Sequence, residues 1–312
     1  MRWDVELPRA PRRPRGEGPS LTEAIRIHGH ALRRLPEAIR QDATVEMAAG
    51  MSFFMLFSIF PGLVFVATFL PFLPPDLANL DAAFDLARPL LPGEVYSLLH
   101  DDLTSLVTQP RGGLAFVSVA ITLFSASRAL VSLSRALNRA YGVPAQRPEW
   151  LRRLRSMVLT VGVLFGFLVA VFGLTLGNRL VQTLVEHGWL DVGPSLLILA
   201  VRWPLLFVLA TFFVQQLYYL LPDRRPRWRP VSSGAVLAVM GWVVATSVFT
   251  RLAASFLESN LAYGSLGSVA VVMAWLYLGC LALVLGASLN ALVESAALAM
   301  WNGEGKLAEK ER

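Results

Sequence analysis

Polar side chains recur at helical spacing along residues 113–133, a stretch that is otherwise apolar. The stripe and its continuation into the next loop consist of Thr122, Ser125, Arg128, Ser132, Arg135 and Arg139. An ionisable residue inside an apolar helix is a functional hypothesis by default, because its burial is costly. Three arginines on one helical stripe suit a phosphate group. The sequence therefore predicts a site for a lipid headgroup, an amphiphile or a small anionic substrate.

Arg128 also has an interpretation that needs no ligand. It lies only about two turns from the end of the predicted helix, so its long side chain could reach the headgroup region. Asn290 and Glu294 lie one turn apart near the end of the last apolar segment and are further candidates for the site. For Glu294, pairing with Arg128, proton coupling and exposure to interfacial water are the alternatives.

Motifs of the common enzyme classes are absent from the sequence. It has no Walker A motif, dinucleotide fingerprint, HExxH motif or GxSxG motif. The four histidines and the single cysteine, Cys280, form no metal-binding pattern with carboxylates. We therefore predict no catalytic residue, no metal and no cofactor. A nuclease is the least favoured class of function.

The composition is that of an integral membrane protein. Of 312 residues, 55% are hydrophobic and 16% are charged, and the mean hydropathy is +0.54. The apolar residues gather in windows of roughly 20–28 residues, the length that crosses a ~30 Å hydrocarbon core as a helix. These windows are 46–72, 113–133, 156–178, 195–221, 231–256 and 265–293. The sequence thus predicts an all-α, polytopic bundle of about six transmembrane helices with additional short amphipathic helices.

Shorter segments flank and interrupt this bundle. We expect a disordered basic N-terminus over 1–18, an amphipathic interfacial helix over 19–42, and a polar cytoplasmic tail over 299–312. The membrane domain between them, 43–298, should contain an outer loop over 74–112 that forms two short amphipathic helices. For the helix at 19–42, docking on the bundle from the aqueous side is the alternative to a position in the membrane interface.

Lysines and arginines are sorted to one side of the predicted bundle. Of 28 such residues, 22 fall in the N-terminal region, the loops after the second and fourth segments, and the tail, whereas 5 fall on the opposite side. Cytoplasmic loops carry an excess of Lys and Arg, so both termini are predicted to be cytoplasmic. This sorting also accounts for the net charge of +6, and we predict no nucleic-acid partner.

Small residues and prolines indicate how the helices pack. Glycines that share one helix face let backbones approach closely in a membrane, and lining of a passage is the alternative. The positions assigned to packing or kinks are Pro61, Gly162, Gly166, Gly173, Gly177, Gly264, Gly267 and Gly286.

Several motifs occur in an order that resembles a known family. They are AAGMSFF at 48–54, SIFP at 58–61, LSRALNRAY at 133–141, LP at 221–222, YGSLG at 263–267 and LGASLNA at 285–291. Over residues 40–295 the chain is similar to the YihY/virulence factor BrkB family of bacterial inner-membrane proteins. The resemblance implies six helices in the inner membrane and brings no settled activity. The label ribonuclease BN, given to this family, looks like a misattribution.

The predicted role is transport or binding of a lipid, an amphiphile or a small anion, with membrane lipids as the expected partners. The alternative is a non-transporting scaffold or envelope-integrity protein. Similar proteins tend to have an acidic residue where this chain has Ser288, which puts an ion-coupled mechanism in doubt here. The sequence leaves the oligomeric state open.

Overall fold

The chain folds into helices whose bounds the computed structural model gives directly. It describes residues 21–41, 43–69, 88, 93–108, 115–144, 147–187, 192–223, 231–259 and 264–310. The helices are α1 (Leu21–Gln41), α2 (Thr44–Phe69), α3 (Gly93–Thr108), α4 (Ala115–Ala140), α5 (Glu149–Glu186), α6 (Val192–Leu220), α7 (Ser233–Ser259) and α8 (Gly264–Lys310). No strand occurs within these ranges. The predicted all-α fold class is confirmed.

The six predicted apolar segments coincide with α2 and with α4 to α8. Two helices extend well beyond the apolar windows. α5 begins at Glu149, directly after Pro148, where a fixed φ and an acidic first turn favour a helix start. α8 continues to Lys310, so the tail that the sequence predicted as merely polar is helical over most of its length. At ~1.5 Å per residue, both helices exceed the thickness of a hydrocarbon core.

Three helices in the described part of the chain are long and apolar enough to cross a membrane. Their qualifying stretches are Trp203–Leu220, Ser233–Arg251 and Val269–Leu298. A fourth span would result if α1 and α2 crossed together, although they meet at a bend of 70°, where Ala43 has a left-handed φ of 51°. The predicted number of six spans exceeds this count and stays a prediction.

The core lies where α2, α4, α6 and α8 meet. Its largest buried side chains include Met51, Leu133, Leu137 and Tyr218. Burial of such side chains excludes both lipid and water from the centre of the bundle. The faces of α5, α6 and α7 that point away from this core carry exposed Phe, Val and Leu side chains, which are suited to lipid tails.

Close approach of α7 and α8 depends on one pair of glycines. A Cβ atom at Gly286 would collide with the backbone oxygen of Gly234, and a Cβ at Gly234 would collide with that of Gly286. Gly166 faces the ring of Phe213 across the α5–α6 contact. Gly162, by contrast, is exposed and a Cβ there would meet no atom within 4 Å. Gly162 thus contacts no other helix among the described residues of the chain, and the packing role predicted for it stays a prediction.

Several other predicted positions lie in described helices, but the surroundings of their side chains are outside what the structure describes. Pro61 lies in α2, Gly173 and Gly177 lie in α5, and Gly264 and Gly267 lie in the first turn of α8. The packing or kink roles predicted for these residues stay predictions.

The amphipathic segments dock on the bundle at two places. α1 packs on α8 through Ile27 and Ala31, whereas its Ile25 and Leu32 are exposed. At the other end of the bundle, Val95 of α3 is buried in a cluster with residues of α8. The predicted disordered segment 1–18 and the first part of the outer loop lie outside the described residues.

Candidate functional site

A pocket of about 730 Å³ opens between α4 and α5, with one further residue from α2. We call it the arginine groove. Its polar lining residues are Arg128, Ser132, Arg135, Glu149 and Arg153. Its apolar lining residues are Phe54, Val131, Trp150, Leu154 and Met157. Because α4 ends and α5 begins at this end of the bundle, which we call the basic end, the groove gathers charge from two consecutive helices.

Two guanidinium groups of the groove share one aromatic ring. The Cζ atom of Arg128 lies 5.1 Å from the centroid of Phe124, and that of Arg153 lies 4.5 Å from the same centroid. Arg128 also lies 5.3 Å from the ring of Phe54. Each contact is a cation–π interaction, typically about 0.5–1 kcal/mol where it is exposed. The rings thus hold both cations in the groove without neutralising them.

A single carboxylate in the groove is already engaged by two other arginines. Arg135 donates to Glu149 Oε2 at 3.0 Å, and Arg152 donates to Glu149 Oε1 at 2.6 Å. Desolvation raises the pKa of Glu149, but the hydrogen bond and charge of Arg135, together with those of Arg152, outweigh it. The pKa of Glu149 therefore lies below its ordinary value, and the carboxylate is ionised at neutral pH.

The groove carries an excess of positive charge. Arg128 and Arg153 form no ion pair with any described carboxylate. Arg128 is exposed and Arg153 is half-buried, so both can be reached from outside the protein. Three arginines and one glutamate line the groove. An anion is therefore the ligand that its electrostatics favour.

The structure brings together three of the residues predicted from the polar stripe. Arg128, Ser132 and Arg135 line the groove. Thr122 is buried and Ser125 is half-buried, and neither lines it. The remaining member of the stripe, Arg139, is exposed one turn beyond Arg135 and also lies outside the lining.

Sequence reasoning missed the half of the groove that comes from α5. Glu149, Trp150 and Arg153 precede the predicted third apolar segment, in a stretch that the hydropathy pattern predicts to be a loop. The available signal was the proline at 148 followed by an acidic residue, which is typical of a helix start. Recognising that start would have placed Arg153 on a helix rather than in a loop.

Asn290 lies away from the groove in a buried network that joins α6, α7 and α8. Gly234 N–H donates to Asn290 Oδ1 at 2.8 Å, and Asn290 Nδ2 donates to Ser232 Oγ at 2.8 Å. The Ser232 hydroxyl in turn donates to Gln215 Oε1. The side chain of Asn290 thus satisfies backbone and side-chain groups at the start of α7. Glu294, one turn further on, is half-buried and does not line the groove either.

A second polar cluster, absent from the predictions, ties the first turn of α5 and the loop before it to the turn after α6. Arg152 Nη2 lies 3.5 Å from Asp223 Oδ2, and Arg147 Nη1 lies 3.7 Å from Asp223 Oδ1. The backbone N–H of Asp223 donates to Asn138 Oδ1 at 2.8 Å. We call these four residues the polar clasp. Since Arg152 also binds Glu149, the clasp fixes one wall of the groove.

The fold and the distribution of apolar surface define an all-α helical membrane protein. Comparison with known proteins also assigns the chain to a family, since the model of the Virulence factor BrkB family matches residues 35–309. The chain belongs to that family, as the order of its motifs predicted. No solved structure gives a significant match.

Relatives with curated descriptions agree with this assignment. YfkH of Bacillus subtilis, whose name describes it as ribonuclease-like, is 31% identical over 250 residues, covering 79% of this chain and 88% of YfkH. A UPF0761 membrane protein of Chromohalobacter salexigens is 24% identical over 282 residues, covering 89% of this chain and 64% of its own length. A UPF0761 membrane protein of Psychromonas ingrahamii is 24% identical over 181 residues, covering 58% of this chain and 57% of its own length. The chain thus spans less than two thirds of these two UPF0761 proteins.

Proposed function

We propose that the arginine groove binds the phosphate headgroup of a membrane amphiphile. Arg128 and Arg153 carry the proposal, because they present two unneutralised guanidinium groups on one Phe124 ring. Both guanidinium carbons lie within 5.1 Å of that ring centroid and both side chains line the groove, and in this proposal one phosphate contacts both. Trp150, Leu154 and the other apolar lining residues provide a surface for the hydrocarbon part of the ligand. Movement of the bound amphiphile across the membrane is the transport form of this proposal.

The setting that we propose is the bacterial inner membrane, with both termini in the cytoplasm and no enzymatic activity. The sorting of Lys and Arg supports this orientation. It puts the basic end, and therefore the groove, at the level of the inner-leaflet headgroups. Anionic lipids of that leaflet attract basic groups by about 1 kcal/mol per residue.

Lipid binding can be measured by native mass spectrometry of the protein released from nanodiscs. The nanodiscs contain equal amounts of phosphatidylglycerol and phosphatidylcholine with identical acyl chains. We expect the anionic lipid to be enriched on the wild-type protein. Arg128→Ala should reduce this enrichment by about tenfold, the value of one charge-assisted hydrogen bond. Arg128→Lys should also impair it, because an ammonium cannot bind a phosphate bidentately.

Arg139→Ala is the matched control, because it removes the same charge from the same helix outside the groove lining. It should bind phosphatidylglycerol as the wild type does. Wild-type enrichment in both Arg128 variants would overturn the proposed function. Equal loss in Arg139→Ala would show that only the overall charge of the basic end attracts the lipid.

The orientation has its own test. Cys280 is buried, so Cys280→Ala gives a background without thiols for single introduced cysteines. We expect Ser97→Cys on α3 to react with an impermeant maleimide added outside the cell. Arg139→Cys should react only after the membrane is opened. Labelling of both positions from the same side would overturn the proposed topology.

A further inference from the structure

The charges of the groove indicate which phosphate headgroup it takes. Arg135 is neutralised by Glu149 at 3.0 Å. Arg128 and Arg153 have no carboxylate partner among the residues that the structure describes. The groove therefore offers two positive charges that a ligand must balance. A phosphodiester headgroup carries a single negative charge, whereas a phosphomonoester carries about −1.5 to −2 at pH 7 because its second pKa is near 6.

The groove also disfavours a zwitterionic headgroup. Glu149 is the only carboxylate in the lining that could pair with an ammonium group. Both of its oxygens already accept hydrogen bonds, from Arg135 and from Arg152. Binding an ammonium there would bring it beside these two guanidinium groups, at a cost in like-charge repulsion. A choline or ethanolamine headgroup therefore finds no free carboxylate in the groove.

The start of α5 adds to the positive potential. Pro148 caps the helix without a side-chain hydrogen bond, and Glu149 and Trp150 of the first turn both line the groove. The helix dipole places a partial positive charge at this end. Its contribution is small beside that of two guanidinium groups, and the end of α4 at the same level brings a partial charge of the opposite sign.

We propose that the ligand of the arginine groove is an amphiphile that ends in a phosphomonoester, and that Arg153 selects it over a phosphodiester. This inference rests on the proposed function and narrows it to one headgroup class. Arg128 and Arg153 together balance the dianion, and the apolar lining takes the adjoining part of the lipid. With one guanidinium removed, a monoester has no advantage over a diester.

The experiment uses the full-length protein in nanodiscs that contain equal amounts of phosphatidic acid, phosphatidylglycerol and phosphatidylcholine with identical acyl chains. Native mass spectrometry counts each bound lipid. We expect phosphatidic acid to exceed phosphatidylglycerol by roughly tenfold, because of its extra charge near two guanidinium groups. Arg153→Ala should abolish this preference. Arg155→Ala, the same change on the same helix but outside the groove lining, should keep it.

The ionisation of the ligand gives a second readout. The titratable groups that line the groove are Arg128 and Arg135 from α4 with Glu149 and Arg153 from α5, while α2 contributes Phe54. Arginine side chains in general stay protonated in proteins, and the charges of Arg135 and Arg152 hold the pKa of the Glu149 carboxyl below its ordinary value. Binding of phosphatidic acid should therefore rise through about pH 6–7, and binding of phosphatidylglycerol should not.

Each outcome decides between the two proposals. Equal enrichment of phosphatidic acid and phosphatidylglycerol over phosphatidylcholine would overturn the monoester inference and leave the proposed function standing. Equal binding of all three lipids would overturn both. Displacement of phosphatidic acid by an equal concentration of glycerol 3-phosphate would show that the acyl chains add nothing to binding and would overturn the lipid assignment. If Arg153→Ala fails to fold, Arg153→Gln takes its place as the test of selection, and the comparison of lipids on the wild-type protein still decides whether a monoester is preferred.

Discussion

The polar clasp offers the sharpest test of the structure, because its central pair is almost fully buried. The side chains of Arg152 and Asp223 are 4% and 1% exposed. Removing one partner of a buried ion pair leaves an uncompensated charge and typically costs about 3–5 kcal/mol. In Asp223→Asn, Arg152 keeps Glu149 as a partner at 2.6 Å. We therefore expect the lower end of that range, about 3 kcal/mol.

Thermal unfolding of the purified protein in detergent measures this loss. A cost of about 3 kcal/mol corresponds to a fall in the unfolding midpoint of roughly 6–12 °C, at about 2–4 °C per kcal/mol. Arg152→Met should have a similar effect. Because both substitutions remove the same interaction, the double variant Arg152→Met/Asp223→Asn should lose clearly less than the sum of the single losses.

The control for the clasp is Arg139→Met, which removes an exposed arginine near the end of α4. Its midpoint should stay within about 1 °C of the wild-type value, as for most surface substitutions. The reasoning is refuted if Asp223→Asn is as stable as this control. It is also refuted if the losses in the double variant simply add, because the two residues would then act independently.

Three further predictions concern packing, the buried network and pH. Gly286→Ala should lower the unfolding midpoint, because overpacking against the backbone of α7 costs about 1–3 kcal/mol; Gly162→Ala, which meets no neighbour, should leave the midpoint unchanged or raise it. A midpoint for Gly286→Ala equal to that of Gly162→Ala would contradict the close contact. Asn290→Leu should cost about 1–3 kcal/mol in the same assay, because it leaves the buried N–H of Gly234 without an acceptor, and unchanged stability would speak against the network. The lowered pKa of Glu149 means that its contribution to stability is present above pH 4.5 and is lost as the pH falls through the folded-state pKa. An acid titration of the midpoint should therefore show a small extra loss, below about 1 kcal/mol for this exposed pair, that Glu149→Gln removes; identical titrations would contradict this assignment.

The basic end of the bundle shows how one carboxylate can serve two clusters. Glu149 accepts from Arg135 in the groove and from Arg152 in the clasp. Anything that draws Arg135 away from Glu149 therefore acts also on the partner of Arg152. The groove and the turn after α6 are in this way part of one continuous set of charged contacts.

The fold class, the approximate helix positions and part of the groove could be predicted from the sequence alone. The clustering of apolar residues, which a soluble core does not require, predicted the membrane class and the approximate position of the long apolar helices that the structure describes. Helical periodicity placed Arg128, Ser132 and Arg135 on one face, and in the structure all three side chains line one groove. Such features are local, since they depend only on the spacing of residues within one helix.

Only the tertiary structure decided which helix faces meet. Periodicity gave Gly162 and Gly286 the same packing role, yet the first lies on the exposed surface and the second against the backbone of α7. Arg152 and Asp223 are 71 residues apart, and Arg153 joins Arg128 only because α5 folds back along α4. Within a membrane helix no strong hydrophobic drive distinguishes an inward from a lipid-facing apolar side. The partners of each polar group are therefore set by shape and by contacts between distant segments.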